Sequence, residues 1–80
     1  MTSEQVYERL TEIFHDVFNR DDIVLTPALT AADVKGWDSM KHIELILHVE
    51  ECFSMRMTSK EIDSLQNVGD FASLITQKSA

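Results

Sequence analysis

Ser39 is the side chain in this sequence best placed to do chemistry. It stands in the stretch Gly36-Trp37-Asp38-Ser39-Met40-Lys41-His42-Ile43-Glu44-Leu45, where a polar region ends at Gly36 and a periodic apolar run begins at Met40. Asp is a favoured N-cap because its carboxylate accepts orphan backbone N–H groups of a helix's first turn. Asp38 is therefore the expected cap, and Ser39 the first helical residue. A hydroxyl there is exposed at the positive end of a helix dipole. Such a place favours a phosphate, bound or covalently attached. Asp-Ser before an apolar run is also ordinary capping chemistry, so the helix that follows has to decide between the two.

Other constellations are weaker. Ser39 and His42 are three apart on one helix, with Asp38 adjacent, so a hydrolytic triad is conceivable. A triad also needs an oxyanion hole and a substrate cleft, and eighty residues with two glycines offer neither. No enzyme is expected. His42, Glu44 and His48 lack the spacing of a helical metal-ligand pair, and one cysteine cannot build a structural zinc site. The Asp21-Asp22 and Glu50-Glu51 pairs do not make a calcium loop. No metal is expected. Cys52 excludes an internal disulfide and is read as a buried, inert thiol.

The helix after Ser39 carries two apolar stripes. At about 100° per residue, Leu45, Ile46, Val49, Cys52 and Phe53 form one, with His42 at its upper end. Met40, Ile43 and Leu47 form a second on nearly the opposite side, flanked by Glu44, Glu50 and Glu51. A surface helix of a small domain needs only one apolar stripe to face its core. The second stripe, edged with carboxylates and beginning beside Ser39, reads as a docking face for another protein. Asp38, Met40, Ile43, Glu44, Leu47, Glu50 and Glu51 are its residues.

This stretch resembles the 4′-phosphopantetheine attachment site of acyl and peptidyl carrier proteins. The family's Asp-Ser-Leu or Asp-Ser-Met signature reads Asp38-Ser39-Met40 here. Its alternating aliphatic and acidic positions are matched by Ile43-Glu44-Leu45-Ile46, and its closing acidic pair and Phe by Glu50-Glu51-Cys52-Phe53. The resemblance extends over essentially the whole chain. It implies a 4′-phosphopantetheine arm on the Ser39 hydroxyl, taken from coenzyme A, with an acyl or aminoacyl cargo held as a thioester. It also implies a phosphopantetheinyl transferase, a loading enzyme and downstream synthases as partners. Lys41 and Lys60 stand where many fatty-acid carriers have acids, and Ile62 stands where Ala is frequent. Gly-Trp-Asp-Ser looks more like stand-alone carriers of specialised pathways, polyketide and non-ribosomal peptide ones among them. The second reading is an unmodified acidic helical adaptor that binds a basic partner protein through helix 2. It accounts for the second stripe but not for an exposed serine at its start.

Four helical segments must position Ser39. Thr2-Ser3-Glu4-Gln5 supplies capping-box chemistry, and Val6, Tyr7, Leu10, Ile13, Phe14, Val17 and Phe18 follow at helical spacing, predicting a helix over 3–18. His15 falls off that stripe and is expected in solvent. Residues 19–37 show no sustained period, and Pro27 forbids a helix through it. Ile23, Leu25, Leu29 and Val34 are expected to pin this long loop, which ends at Gly36 with a backbone angle other residues avoid. Trp37 reads as a core plug beneath it, in preference to a partly exposed wall beside Ser39. The second helix is expected over about 38–53. A Thr58-x-x-Glu61 capping box starts a short third, holding Ile62 and Leu65, and Asn67-Val68-Gly69-Asp70 starts a fourth whose end, Lys78-Ser79-Ala80, should fray. The fold class is all-α, a small four-helix bundle with one short helix and a long loop between helices 1 and 2. Leu10, Phe14, Val17, Leu45, Val49, Phe53, Leu65, Phe71 and Ile75 are its expected core.

Length and charge bound the rest. Eighty residues make one domain, 1–80, and 44% hydrophobic content suffices for a packed core. Fourteen acids against seven bases give a net charge of −7. That balance opposes nucleic acid as a partner and favours basic protein surfaces. The N-terminus is acidic where a secretory signal needs basic, then apolar, residues. A cytoplasmic monomer with no membrane association is expected.

Overall fold

The computed structural model describes residues 2–79, and the side chains of residues 2–78. Four helices follow one another: α1 (Ser3–Phe18), α2 (Ser39–Cys52), α3 (Ser59–Asp63) and α4 (Val68–Ser79). No strand occurs among the described residues; Thr30 and Asn67 make one isolated bridge. The first and second helices thus match their expected spans to within a residue.

Each helix begins where its capping chemistry lies. The Thr2 hydroxyl accepts the Gln5 N–H at 3.2 Å, and the Gln5 side chain reaches back to the Thr2 N–H at 3.0 Å. Thr58 and Glu61 make the same reciprocal pair ahead of α3. These exchanges satisfy donors that a helix start leaves without partners. At α4 the Asn67 side chain accepts the Asp70 N–H at 2.8 Å, and Asp70 accepts the Gln66 N–H at 2.9 Å. At its far end α1 stops on Asn19, whose φ of 51° is left-handed. Asn tolerates that region better than most residues.

The α1 stripe packs against both α2 and α4. Val6, Leu10, Phe14, Leu45, Val49, Val68, Phe71 and Ile75 are the deepest side chains. Eight of the nine expected core residues are buried, and Phe53 is half-buried at the C-cap of α2. There the chain leaves the helical path, which carries the ring partly out of the interior.

The long loop is anchored rather than loose. Ile23, Val34 and Trp37 are buried, and Leu25 and Leu29 pack against the core from its edge. The loop also caps α4, because Pro27 and Leu29 carbonyls accept the Gly69 and Val68 N–H groups at 3.0 and 2.9 Å. A Cβ on Gly69 would meet the Pro27 carbonyl oxygen at 3.0 Å, a tight contact that a larger residue could make only if the loop gave way by a few tenths of an ångström. Gly36 has a φ of +92°, the turn angle expected of it.

Three expectations need correction. His15 is half-buried, and its Nε2–H donates to the Ile23 carbonyl at 3.1 Å. The loop folds back over α1 and supplies an acceptor that helical periodicity could not foresee. Cys52 is exposed, with Arg9 Nη1 3.8 Å from its sulfur. At about 100° per residue it stands at the margin of the α2 core stripe, not on its centre line. Finally, α4 continues to Ser79 instead of fraying at Lys78, whose Nζ lies 3.0 Å from Glu61 Oε1. Ala80 lies outside the described residues.

The two stripes of α2 make a quantitative contrast. Leu45 is fully buried, whereas Leu47 is 58% exposed. Leu45→Ala is expected to cost about 2–5 kcal/mol, the lost transfer energy plus the residual cavity. Leu47→Ala should stay within about 0.5 kcal/mol. Urea unfolding of the two variants at equal pH and salt checks both values.

Candidate functional site

The site is built where the loop enters α2. Trp37 N–H donates to the Val34 carbonyl at 3.2 Å, and Asp38 N–H to the Gly36 carbonyl at 3.0 Å. The tight turn around Gly36 leaves Asp38 extended, with φ −109° and ψ −171°. Its carboxylate accepts the Lys41 N–H at 2.9 Å, and its carbonyl accepts the His42 N–H at 2.9 Å. Asp38 is thus the cap, and Ser39 is the first residue of α2 and exposed. The Ser39 and Met40 N–H groups precede the first intrahelical bond, so they can face an anion. The Asp38 carboxylate opposes that anion by like charge, although one oxygen is already committed to the cap.

Beside Ser39 lies an open hollow of about 480 Å³, lined by Ala31, Trp37, His42, Ile43, Leu65 and the Asp38-Ser39 pair. Its walls are largely apolar. Trp37 is buried, its ring nearly perpendicular to Phe14 at 5.3 Å between centroids. The plug reading is therefore right, and the same side chain also lines the hollow beside Ser39. Trp37 Nε1–H donates to His42 Nδ1 at 3.3 Å. Periodicity placed His42 at the end of the core stripe but gave no hint of this bond. A Trp five residues before a His on that stripe was the available signal.

The second stripe is open. Met40 is 73% exposed, and Ile43 and Leu47 are each 58% exposed. Glu44 and Glu51 are exposed as well, and Glu44 Oε2 lies 3.4 Å from Lys41 Nζ. Lys41 also donates to the Val17 carbonyl at 3.2 Å, where it satisfies the C-terminal end of α1. Glu50 differs from its neighbours. It is half-buried, and its Oε2 accepts the Met57 N–H at 2.8 Å, which holds the connection to α3. Past the end of the stripe, Arg56 borders an open hollow with Leu47, Glu50, Glu51 and Met55.

No group of three or more His, Cys, Asp or Glu side chains able to hold a metal occurs among the described residues. His42 Nδ1 is occupied by the indole, which leaves Ser39 without a triad geometry.

Residues 8–75 match the family described as the phosphopantetheine attachment site. The chain belongs to that family. A mitochondrial acyl carrier protein of Schizosaccharomyces pombe is 36% identical over 58 residues, 72% of this chain. The chain spans about half of that relative, 52% of its length. The solution structure of a holo acyl carrier protein from Geobacter metallireducens superposes with a TM-score of 0.87 at 40% identity, covering 91% of this chain and 84% of that one. The arrangement of four helices is thus the acyl carrier fold. The site also suits the group for which the family is named: an exposed hydroxyl at a helix start, unpaired N–H groups behind it, and an apolar hollow alongside.

Burial holds the His42 pKa below its ordinary 6.5. Between that lowered value and about 6.5 the unfolded chain binds more protons than the folded one, so stability rises with pH through this window. The contribution is complete above about 6.5 and declines as pH falls toward the lowered value. Urea midpoints measured across this window should fall with acidity in the wild type, and should fall less in His42→Phe.

Proposed function

We propose that the chain is a carrier which tethers an acyl or aminoacyl intermediate through a 4′-phosphopantetheine joined to Ser39. Family membership supports the cofactor, and the position of Ser39 supports the residue. When bound, the group supplies a flexible arm whose thiol holds the cargo as a thioester. The chain itself performs no bond chemistry. Its own contribution is to present a reachable hydroxyl from a rigid helix, next to a surface that enzymes can dock. Tethering then raises the effective concentration of cargo at each docked enzyme.

The observation that carries this reading is the coincidence at one helix end of an exposed Ser39 and an unpartnered apolar stripe. Met40, Ile43 and Leu47 are the proposed anchors, with Asp38, Glu44 and Glu51 as the charged rim. Met40 suits adaptable docking, because its side chain is unbranched and polarizable. Glu50 keeps a place on this surface, with one oxygen committed to Met57. The proposed partners are a phosphopantetheinyl transferase, a loading enzyme and downstream synthases, all approaching with basic surfaces. Lys41, Lys60 and Trp37 favour a specialised pathway over bulk fatty-acid synthesis. The reading treats residues 1–80 as one domain, a monomer, in the cytoplasm. No described helix is long and apolar enough to cross a membrane.

Ser39→Ala should fold normally, since Ala is well tolerated in a first turn. It should gain no mass on incubation with a phosphopantetheinyl transferase and coenzyme A, whereas the wild type gains one arm. Tandem mass spectrometry should place that arm on Ser39. Attachment at another serine, or loading of Ser39→Ala, would overturn the assignment, and an unchanged wild-type mass favours the adaptor reading.

Glu44→Gln removes a rim charge without setting a second cation beside Lys41. Rim charges act mainly on encounter rate. At low ionic strength the loading rate of Glu44→Gln should fall below that of the wild type. The gap should close as salt shortens the screening length to about 3 Å at 1 M. Stopped-flow or quenched-flow loading across a salt series reads both effects.

A further inference from the structure

Two side chains bracket Ser39. Trp37 ends the loop two residues before it, and His42 lies in α2 three residues after it. The Trp37 indole N–H donates to His42 Nδ1 at 3.3 Å. The two rings are within 24° of parallel, with centroids 6.1 Å apart, and Phe71 meets the imidazole edge-on at 5.7 Å. A ring that accepts at Nδ1 is neutral and carries its proton on Nε2. Two backbone bonds close the turn before α2, but neither of them joins the two rings. The Asp38 cap fixes where α2 starts, but the turn before it runs through Gly36 at φ +92°, the most permissive residue type. The direction in which the loop meets the helix therefore depends on side chains.

We propose that His42 is a positioning residue for Ser39: its neutral ring holds the Trp37 indole, and this clamp sets how the loop enters α2 and so how the Ser39 hydroxyl is presented. The proposal rests on the reading of Ser39 as the attachment point. It goes beyond that reading by making loading depend on a residue that does not touch the transferred group.

The groups facing the ring leave this clamp open to protonation. From α2 itself, Asp38 lines the same hollow, and its carboxylate is engaged by the Lys41 N–H. The Lys41 ammonium is turned to the Val17 carbonyl and Glu44. The loop contributes Trp37 and Ala31, the segment after α3 contributes Leu65, and α4 contributes Phe71. Phe14 and Phe18 of α1 pack on the indole. Protonation places an N–H on Nδ1, facing the indole N–H, and two donors cannot share the bond. The clamp therefore opens as the ring takes up its proton, and burial sets that event below the ordinary histidine range.

The test compares the wild type with His42→Asn, whose amide oxygen can accept from the indole without titrating, and with His42→Phe, which keeps a ring and lacks the acceptor. Trp37 is the only tryptophan, so its indole N–H gives a single resolved NMR signal. Long-range nitrogen–proton spectra of the wild type at neutral pH should show His42 as the Nε2–H tautomer, and the Trp37 indole shift should follow the titration of His42. Initial rates of loading by a phosphopantetheinyl transferase with coenzyme A are then expressed relative to His42→Asn at each pH, which cancels the transferase's own pH dependence. The wild-type ratio should fall roughly fivefold as His42 protonates, the factor set by one net hydrogen bond. His42→Phe should load slower than the wild type by a similar factor at neutral pH, with unchanged helical circular dichroism. An Nδ1–H tautomer, a flat ratio, or wild-type loading of His42→Phe overturns the proposal. The tautomer and indole shift are read without any transferase. They therefore test the clamp alone, whereas a wild type that is never loaded strikes at the attachment reading.

Discussion

Burial of the Trp37 ring is the constraint on which the rest of the structure depends. The indole meets Phe14 and Phe18 of α1, Phe71 of α4 and His42 of α2. Aromatic pairs of this kind contribute about 0.5–1.5 kcal/mol each beyond the area they remove from water. A ring that touches three helices ties their positions to one another. It also anchors the end of the long loop to the interior two residues before Ser39. In a domain this small, one such joint is a large part of what keeps the loop from moving independently of the helices.

The loop itself connects distant parts of the fold. Its carbonyls at Pro27 and Leu29 cap α4, and its buried Ile23 and Val34 sit over the core. Lys41 acts in a similar way across the bundle, since its ammonium satisfies a carbonyl at the end of α1 from the first turn of α2. Both contacts complete helix ends with groups from elsewhere in the chain. Helix ends otherwise leave four donors or four acceptors without partners. The α2 N-terminus retains open donors at Ser39 and Met40, a place that favours an anion.

The surface divides into parts with different tasks. Along α2, the side that carries Leu45 and Val49 is committed to the core, and the side that carries Met40, Ile43 and Leu47 is left in water. Exposing three apolar side chains in a row is costly for solubility, and a net charge of −7 offsets it. Glu44 and Glu51 lie beside the stripe and Glu50 is turned partly inward. Acidic residues that look equivalent along a helix thus separate into outward-facing and inward-bonded ones only when their hydrogen bonds are known.

The sequence by itself determined the four helices, the side-chain caps that begin α1, α2 and α3, the two stripes of α2 and the position of Ser39 at a helix start. Each depends on residues within a few positions of one another. Thr2 with Gln5, Thr58 with Glu61, and Asp38 with the N–H of Lys41 are capping pairs whose partners are three apart, so local spacing reveals them. The wide apolar period of α1 and the core residues it names follow from the same regularity. Tertiary structure alone decided the contacts between residues far apart or off the period. His15 was expected in solvent because it falls off the apolar stripe of α1, and the loop brings the Ile23 carbonyl to it. Cys52 was expected in the core because it falls on an apolar stripe, and only packing shows that coverage stops short of that stripe's margin. The Trp37–His42 bond, the inward oxygen of Glu50 and the reach of Lys41 to Val17 belong to the same class. Periodicity reports which face of a helix is apolar. It carries no information about which donor a folded chain sets against which acceptor.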